Sequence, residues 1–174
     1  MKVLTITGVG PGDPSLLTLA AVDAIQESTV VSYPVSIKGG DSLAEKIASK
    51  WISEDKKKLP LHFPMVDDHN TLKKAWRVAG NELMKMVEKG ERVVFLVQGD
   101  ISLFSTGSYL SMALKKYHPE CVVKIIPGVT SCSAASAKSK LPLALQEEQV
   151  LILPVPNSSD ELKDVLSEAA SLKR

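Results

Sequence analysis

The sequence has only two cysteines in 174 residues, Cys121 and Cys132, and no Cys-x-x-Cys spacing. That excludes a disulfide-stapled scaffold and a cysteine zinc site, and reads both as reduced, small core residues. Neither sign of charge is in excess: 21 basic and 20 acidic residues leave a formal net charge of +1. The basic residues are scattered, so no nucleic-acid partner is expected. The run Asp55-Lys56-Lys57-Lys58 reads as a solvated loop or helix end. No apolar stretch approaches the roughly 20 residues that span a bilayer. The N-terminus enters a strand pattern without the charged-then-apolar build of a signal peptide. A soluble, cytoplasmic domain is expected. His62, His69 and His118 lack ligand spacing, so no metal site is expected.

What is present is alternation of strand and helix. Apolar runs rich in Val and Ile occur at Val3–Ile6, Thr29–Ser32, Arg92–Val97, Val122–Ile126 and Val150–Leu153. Most are continuous rather than alternating, as in strands buried on both faces of a parallel sheet. Helical patterns lie between them, at 16–27, 42–52, 69–89, 107–117 and 129–139. In the third, Leu72, Ala75/Trp76, Ala79, Leu83 and Met86/Val87 share one stripe, and Lys89-Gly90 gives a C-terminal stop. The prediction is an α/β fold with a mostly parallel sheet, whose ligands gather at the carboxyl ends of the strands. Residues 1–141 read as an N-terminal α/β domain. Residues 142–174 read as linker and the start of a second α/β domain, cut short where SLKR would hand over to another strand. One strand and one helix cannot bury a core alone.

Three glycine-containing loops follow strands. In the first, GVGPGDP, Gly8, Gly10 and Gly12 resemble part of a dinucleotide fingerprint. Asp13-Pro14, however, fits a helix N-cap with proline at the first helical position. A carboxylate there occupies the place of a pyrophosphate and repels it. The second strand also lacks the ribose-binding acid, since it runs into Ser32-Tyr33-Pro34. NAD and FAD are therefore disfavoured. The second loop, Gln98-Gly99-Asp100-Ile101-Ser102-Leu103-Phe104-Ser105-Thr106, puts a carboxylate and hydroxyls at a strand end. Asp100 lies too far upstream to cap the following helix. The third loop, Pro127-Gly128-Val129-Thr130-Ser131, opens a helix of small residues. Together the loops carry carboxylates rather than arginine or lysine. That suits a ligand with sugar hydroxyls and a positive charge, such as S-adenosyl-L-methionine, although spacing alone does not name it.

GVGPGDPSLLTLAAVDAI, GDISLFSTGSYL and IIPGVTSCSAASA, in that order, resemble the tetrapyrrole methylase family of S-adenosylmethionine-dependent enzymes. LHFPMVDDHNTLKKAW and the GD-x-S-x-x-ST form resemble, within it, the precorrin-2 C20-methyltransferases of cobalamin synthesis. The resemblance implies a two-domain α/β fold, usually a homodimer, with the methyl donor in a cleft between domains. The implied reaction methylates C20 of precorrin-2 or its cobalt form. Carried over by position, the methyl-donor site includes Pro11, Gln98, Gly99, Asp100, Leu103, Ser105, Thr106, Thr130 and Ser131. Asp100 is the candidate to accept the released proton or to orient the substrate. The macrocycle's carboxylates need cations, for which Lys38 is a possible partner. Further contacts to the methyl donor come, in the family, from the second domain, so weak binding is expected of a chain ending at Arg174. The alternatives are another tetrapyrrole methyltransferase, such as a uroporphyrinogen-III C-methyltransferase, or a non-catalytic ligand-binding module.

Overall fold

The computed structural model describes residues 2–37 and 39–171, so Lys38 lies outside the described residues. The chain divides after Ser131 into two compact units.

The first unit is built on five strands: β1 (Val3–Gly8), β2 (Val30–Val35), β3 (Lys57–His62), β4 (Val93–Val97) and β5 (Val122–Ile126). They form one sheet in the order β3-β2-β4-β1-β5, and every strand pair is parallel. All five residues of the central β4, VVFLV, are buried, as an apolar run without alternation requires. Its side chains still alternate between faces. Phe95 and Val97 pack with Leu4, Ile6 and the helices α3 (His69–Glu88) and α4 (Thr106–Tyr117), through Leu83, Leu110 and Leu114. Val94 and Leu96 pack on the other face with α1 (Leu19–Glu27) and α2 (Leu43–Ala48), through Ile25, Ala44 and Ile47.

Strand order explains this division. From β1 to β2 to β3 the chain moves towards one edge, and from β3 to β4 to β5 it moves back. Crossovers of one fixed hand must then place the two helix pairs on opposite faces. The reversal leaves the carboxyl ends of β4, β1 and β5 side by side. That is the switch point at which open α/β sheets hold ligands.

Several expectations are corrected by the structure. The helix expected at 16–27 begins at Leu19, capped by Thr18, whose Oγ1 accepts from Ala21 N at 3.2 Å. Asp13 does cap a helix that opens on Pro14, but it is a separate 3-10 turn, Pro14–Leu16. The run 55–58 is not all loop, because Lys57 and Lys58 begin β3. That strand escapes a periodicity reading because it is an edge: only Leu61 of KKLPLH is buried, and an edge tolerates Pro60.

In the second unit α5 (Ser131–Ser139) runs out of the third loop, and α6 (Ser159–Ser171) follows a long connection. The N-terminus of α6 is tied by Ser158 Oγ, which accepts from Glu161 N at 3.2 Å, and by Glu161, which accepts from Asn157 N at 2.8 Å. The expected strand at Val150–Leu153 forms no regular structure, and its four residues are 44–55% exposed. A strand needs a ladder partner for its N–H and C=O groups, and the described residues of this unit offer none.

Candidate functional site

The three glycine loops meet at the switch point, and backbone locks them together. Past the end of β1, Val9 N donates to Val97 O at 2.9 Å. Gly10 and Gly99 then form an antiparallel bridge, with N–H···O distances of 3.2 and 2.7 Å. Gly99 holds φ at +68°, which L side chains rarely adopt. The third loop comes closer still. A Cβ on Gly128 would lie 2.2 Å from Gly99 O and 2.9 Å from Gly8 C, and one on Gly8 would lie 2.5 Å from Gly99 O. Three segments of the chain pass here, and neither Gly8 nor Gly128 has room for a methyl group.

Asp100 is the polar latch of this junction. It is 8% exposed. Its Oδ1 accepts from Ser102 N at 2.8 Å and from the Ser102 hydroxyl, and its Oδ2 accepts from Gly128 N at 2.8 Å. Burial pushes the carboxyl up. The Ser102 hydroxyl and the amides of Gly128, Ser102 and Ile101 outweigh it, and hold the group below the usual aspartate range.

The rest of the second loop is shaped by a helix start. Buried Ser105 caps α4, its Oγ accepting from Gly107 N at 3.1 Å. Ahead of it Phe104 takes φ of +48° and is 64% exposed. Such strain in a bulky residue beside a candidate site is where binding loops commonly store it.

Gln98 is exposed next to the bridge, and Pro11 and Leu103 are half-buried in their loops. Thr106 opens α4, and Thr130 and Ser131 lie two and three residues past Gly128. All nine expected positions therefore sit on the three loops or the helix starts directly after them. The sequence reading missed the role of Gly8 and Gly128 as a backbone junction, and of Ser102 as the partner of Asp100. The glycines were visible, but backbone-on-backbone contact leaves no pattern along one chain. Ser102, two residues past an aspartate, is a local turn signal that could have been read.

The sequence of the three loops contains no Lys or Arg. A Cβ on Gly99 would meet nothing within 4 Å, so open space faces this backbone. Loops that carry hydroxyls and carboxylates but no cation, with open space before Gly99, fit a ligand with hydroxyls and a positive charge. They do not fit a pyrophosphate, since Asp13 already fills the first turn, accepting from Ser15 N at 2.8 Å and Ser15 Oγ at 2.7 Å. Among the described residues no three His, Cys, Asp or Glu side chains gather as a metal site would need. Nor is any described helix long and apolar enough to cross a membrane.

The family model of the tetrapyrrole (corrin/porphyrin) methylases matches residues 3–172. The chain belongs to this family of methyltransferases. It is 33% identical over 163 residues to the cobalt-precorrin-2 C(20)-methyltransferase of Salmonella typhimurium, covering 94% of this chain and 68% of that protein. With the probable cobalt-precorrin-2 C(20)-methyltransferase of Methanocaldococcus jannaschii it is 37% identical over 147 residues, covering 84% and 61%. The chain thus spans about two thirds of the length of these tetrapyrrole methylases. The solved structure of a cobalt precorrin-4 methyltransferase superposes with a TM-score of 0.65 at 23% identity, covering 90% of this chain and 61% of that one. That likeness shows the shared fold.

Proposed function

We propose that this tetrapyrrole methylase transfers a methyl group from S-adenosylmethionine to C20 of precorrin-2 or its cobalt form, in cobalamin synthesis, as a homodimer. The observation that carries the methyl-donor half is the junction of three loops at the switch point, free of basic residues and latched by Asp100. The substrate half is supported by the likeness to the two C(20)-methyltransferases and by the LHFPMVDD segment.

When bound, S-adenosylmethionine would supply an electrophilic methyl on its sulfonium. The chain's part is to bind and orient, because an in-line displacement responds chiefly to proximity and alignment. Gly99 would offer close backbone approach. Pro11, Gln98, Leu103, Ser105, Thr106, Thr130 and Ser131 would surround the same ligand. A proton acceptor works best with a pKa near the operating pH. Asp100 lies below its ordinary range with both oxygens engaged by Ser102 and Gly128, which speaks against its serving as the proton acceptor. Asp100 is read here as the residue that sets the loop geometry rather than the base.

The test is methyl transfer with labelled S-adenosylmethionine and a panel of cobalt-precorrin-2, precorrin-2, precorrin-4 and uroporphyrinogen III. Label at C20 of a precorrin-2 is expected. Label on another substrate alone would make the chain a different tetrapyrrole methylase. No transfer, with S-adenosylhomocysteine still bound, would favour a non-catalytic ligand-binding module.

A further inference from the structure

Beside the second loop, the same rim of the sheet holds a second hollow. A pocket of about 340 Å³ is walled by Phe63 and Met65 after β3, by Trp76 of α3, and by Thr106 and Tyr109 of α4, with Asp67 its one acid. Trp76 and Tyr109 stack with ring centroids 4.5 Å apart and planes 5° from parallel. Phe63 and Trp76 reach the pocket from the margin of the core, while Tyr109 is 47% exposed and Met65 87% exposed. Paired rings facing a hollow make a wall suited to a flat, largely apolar occupant.

The charge beside the pocket narrows the occupant further. Trp76 and Leu72 line it from α3 at a spacing of four. Lys73 and Arg77, each one residue later, form the next stripe about 100° round the helix. Both are exposed, and neither takes part in an ion pair or hydrogen bond among the described residues. Like charges four apart repel each other on a helix, so fold stability does not ask for them. A hollow with two exposed cations on the neighbouring stripe of the same helix matches a ring system that carries carboxylates at its edge. Thr106 belongs to this pocket and to the second loop, so the hollow adjoins the methyl-donor site.

We propose that this pocket seats one edge of the tetrapyrrole macrocycle against Trp76 and Tyr109, and that Lys73 and Arg77 bind its peripheral carboxylates. The inference rests on the proposed methyltransferase reading and names the substrate side of that site.

The test is binding of the octacarboxylate uroporphyrin, followed by its absorbance and fluorescence, in the unaltered chain, in Tyr109→Ala and in the pair Lys73→Glu/Arg77→Glu. S-adenosylhomocysteine is titrated in parallel by calorimetry, and unfolding is monitored for each variant. Loss of two charge-assisted contacts is expected to weaken uroporphyrin binding at least ~10-fold in the charge-reversed pair. Melting temperature and S-adenosylhomocysteine affinity should not change in that pair, and coproporphyrin, with fewer carboxylates, should bind more weakly than uroporphyrin. Uroporphyrin binding equal in all three proteins, or absent from the unaltered chain, would overturn the proposal. So would a dimer that Tyr109→Ala dissociates without altering porphyrin affinity, which would make the pocket an interface between copies. Binding of S-adenosylhomocysteine without porphyrin would sink this subsite alone. Porphyrin bound through Lys73 and Arg77 without S-adenosylhomocysteine would sink only the methyl-donor reading.

Discussion

The Oδ2 of Asp100 accepts a hydrogen bond from the backbone N–H of Gly128 at 2.8 Å, joining loops 28 positions apart. Since Oδ1 is held by Ser102, an amide cannot replace the carboxylate: its NH2 group would face an N–H that needs an acceptor. Asp100→Asn is expected to destabilise the first unit by about 1–3 kcal/mol at neutral pH, the cost of a buried group left unsatisfied. Denaturant unfolding of the two proteins measures it, and equal midpoints would remove the latch from the account.

The same contact carries a pH dependence of definite sign. The folded pKa of Asp100 lies below its ordinary value, so the unfolded chain takes up the proton first as pH falls. The stabilisation is fully present above the unfolded value of about 3.9 and is lost as pH falls through the lower folded value. The stability difference between the unaltered chain and Asp100→Asn should therefore be constant from neutral pH down to about 5 and shrink below about 4. A difference that grows on acidification would contradict the hydrogen-bond assignment.

Gly128 and Gly99 should answer differently to the same added methyl. At Gly128 the new Cβ meets backbone at 2.2 Å, and nearby chain must move. Gly128→Ala is expected to cost upwards of about 3 kcal/mol, at the severe end of overpacking. At Gly99 the Cβ points into open space, and the cost is that of a left-handed residue, about 1–2 kcal/mol. Gly99→Ala should thus fold, yet bind S-adenosylhomocysteine more weakly because the methyl group occupies the space before the loop. Thermal unfolding and calorimetry separate the two effects. A Gly128→Ala protein as stable as Gly99→Ala would contradict the close junction.

One glycine is predicted to be better replaced. Gly80 is buried inside α3, and a Cβ there would meet the Leu114 side chain at 3.5 Å, an ordinary contact. Gly80→Ala removes the entropy cost of glycine in a helix interior and should stabilise the fold by about 0.5–1 kcal/mol. A lowered melting temperature would show that α3 and α4 pack more closely than this distance indicates.

Most of the fold was legible because its signals are local and strong. Four of the five expected strands are strands, and α3 spans His69–Glu88 where a 3.6-residue stripe predicts 69–89. Val150–Leu153 failed for the opposite reason. Its apolar run has the composition of a strand, but strand formation is settled by a neighbour, which composition does not contain. The edge strand β3 was hidden by its lysines and by Pro60, residues that an edge permits and a core strand forbids. At the site, the place of Asp100 at the carboxyl end of β4 was readable. Its partner Gly128 was not, because the strand order that brings β4, β1 and β5 together is a tertiary fact. Trp76 read as one more residue of a core stripe, and its stacking on Tyr109 emerges only when α3 and α4 are packed.

The central claim is that the three loops form one binding surface for the methyl donor. A titration of the 15N-labelled chain with S-adenosylhomocysteine, followed by NMR, tests it most directly and detects weak binding as well as strong. Saturable shifts are expected, concentrated at the amides of Gly99, Asp100, Gly128 and Thr130, and lost in Gly99→Ala. Shifts confined to residues away from these loops, or a spectrum unchanged at saturating ligand, would contradict the claim.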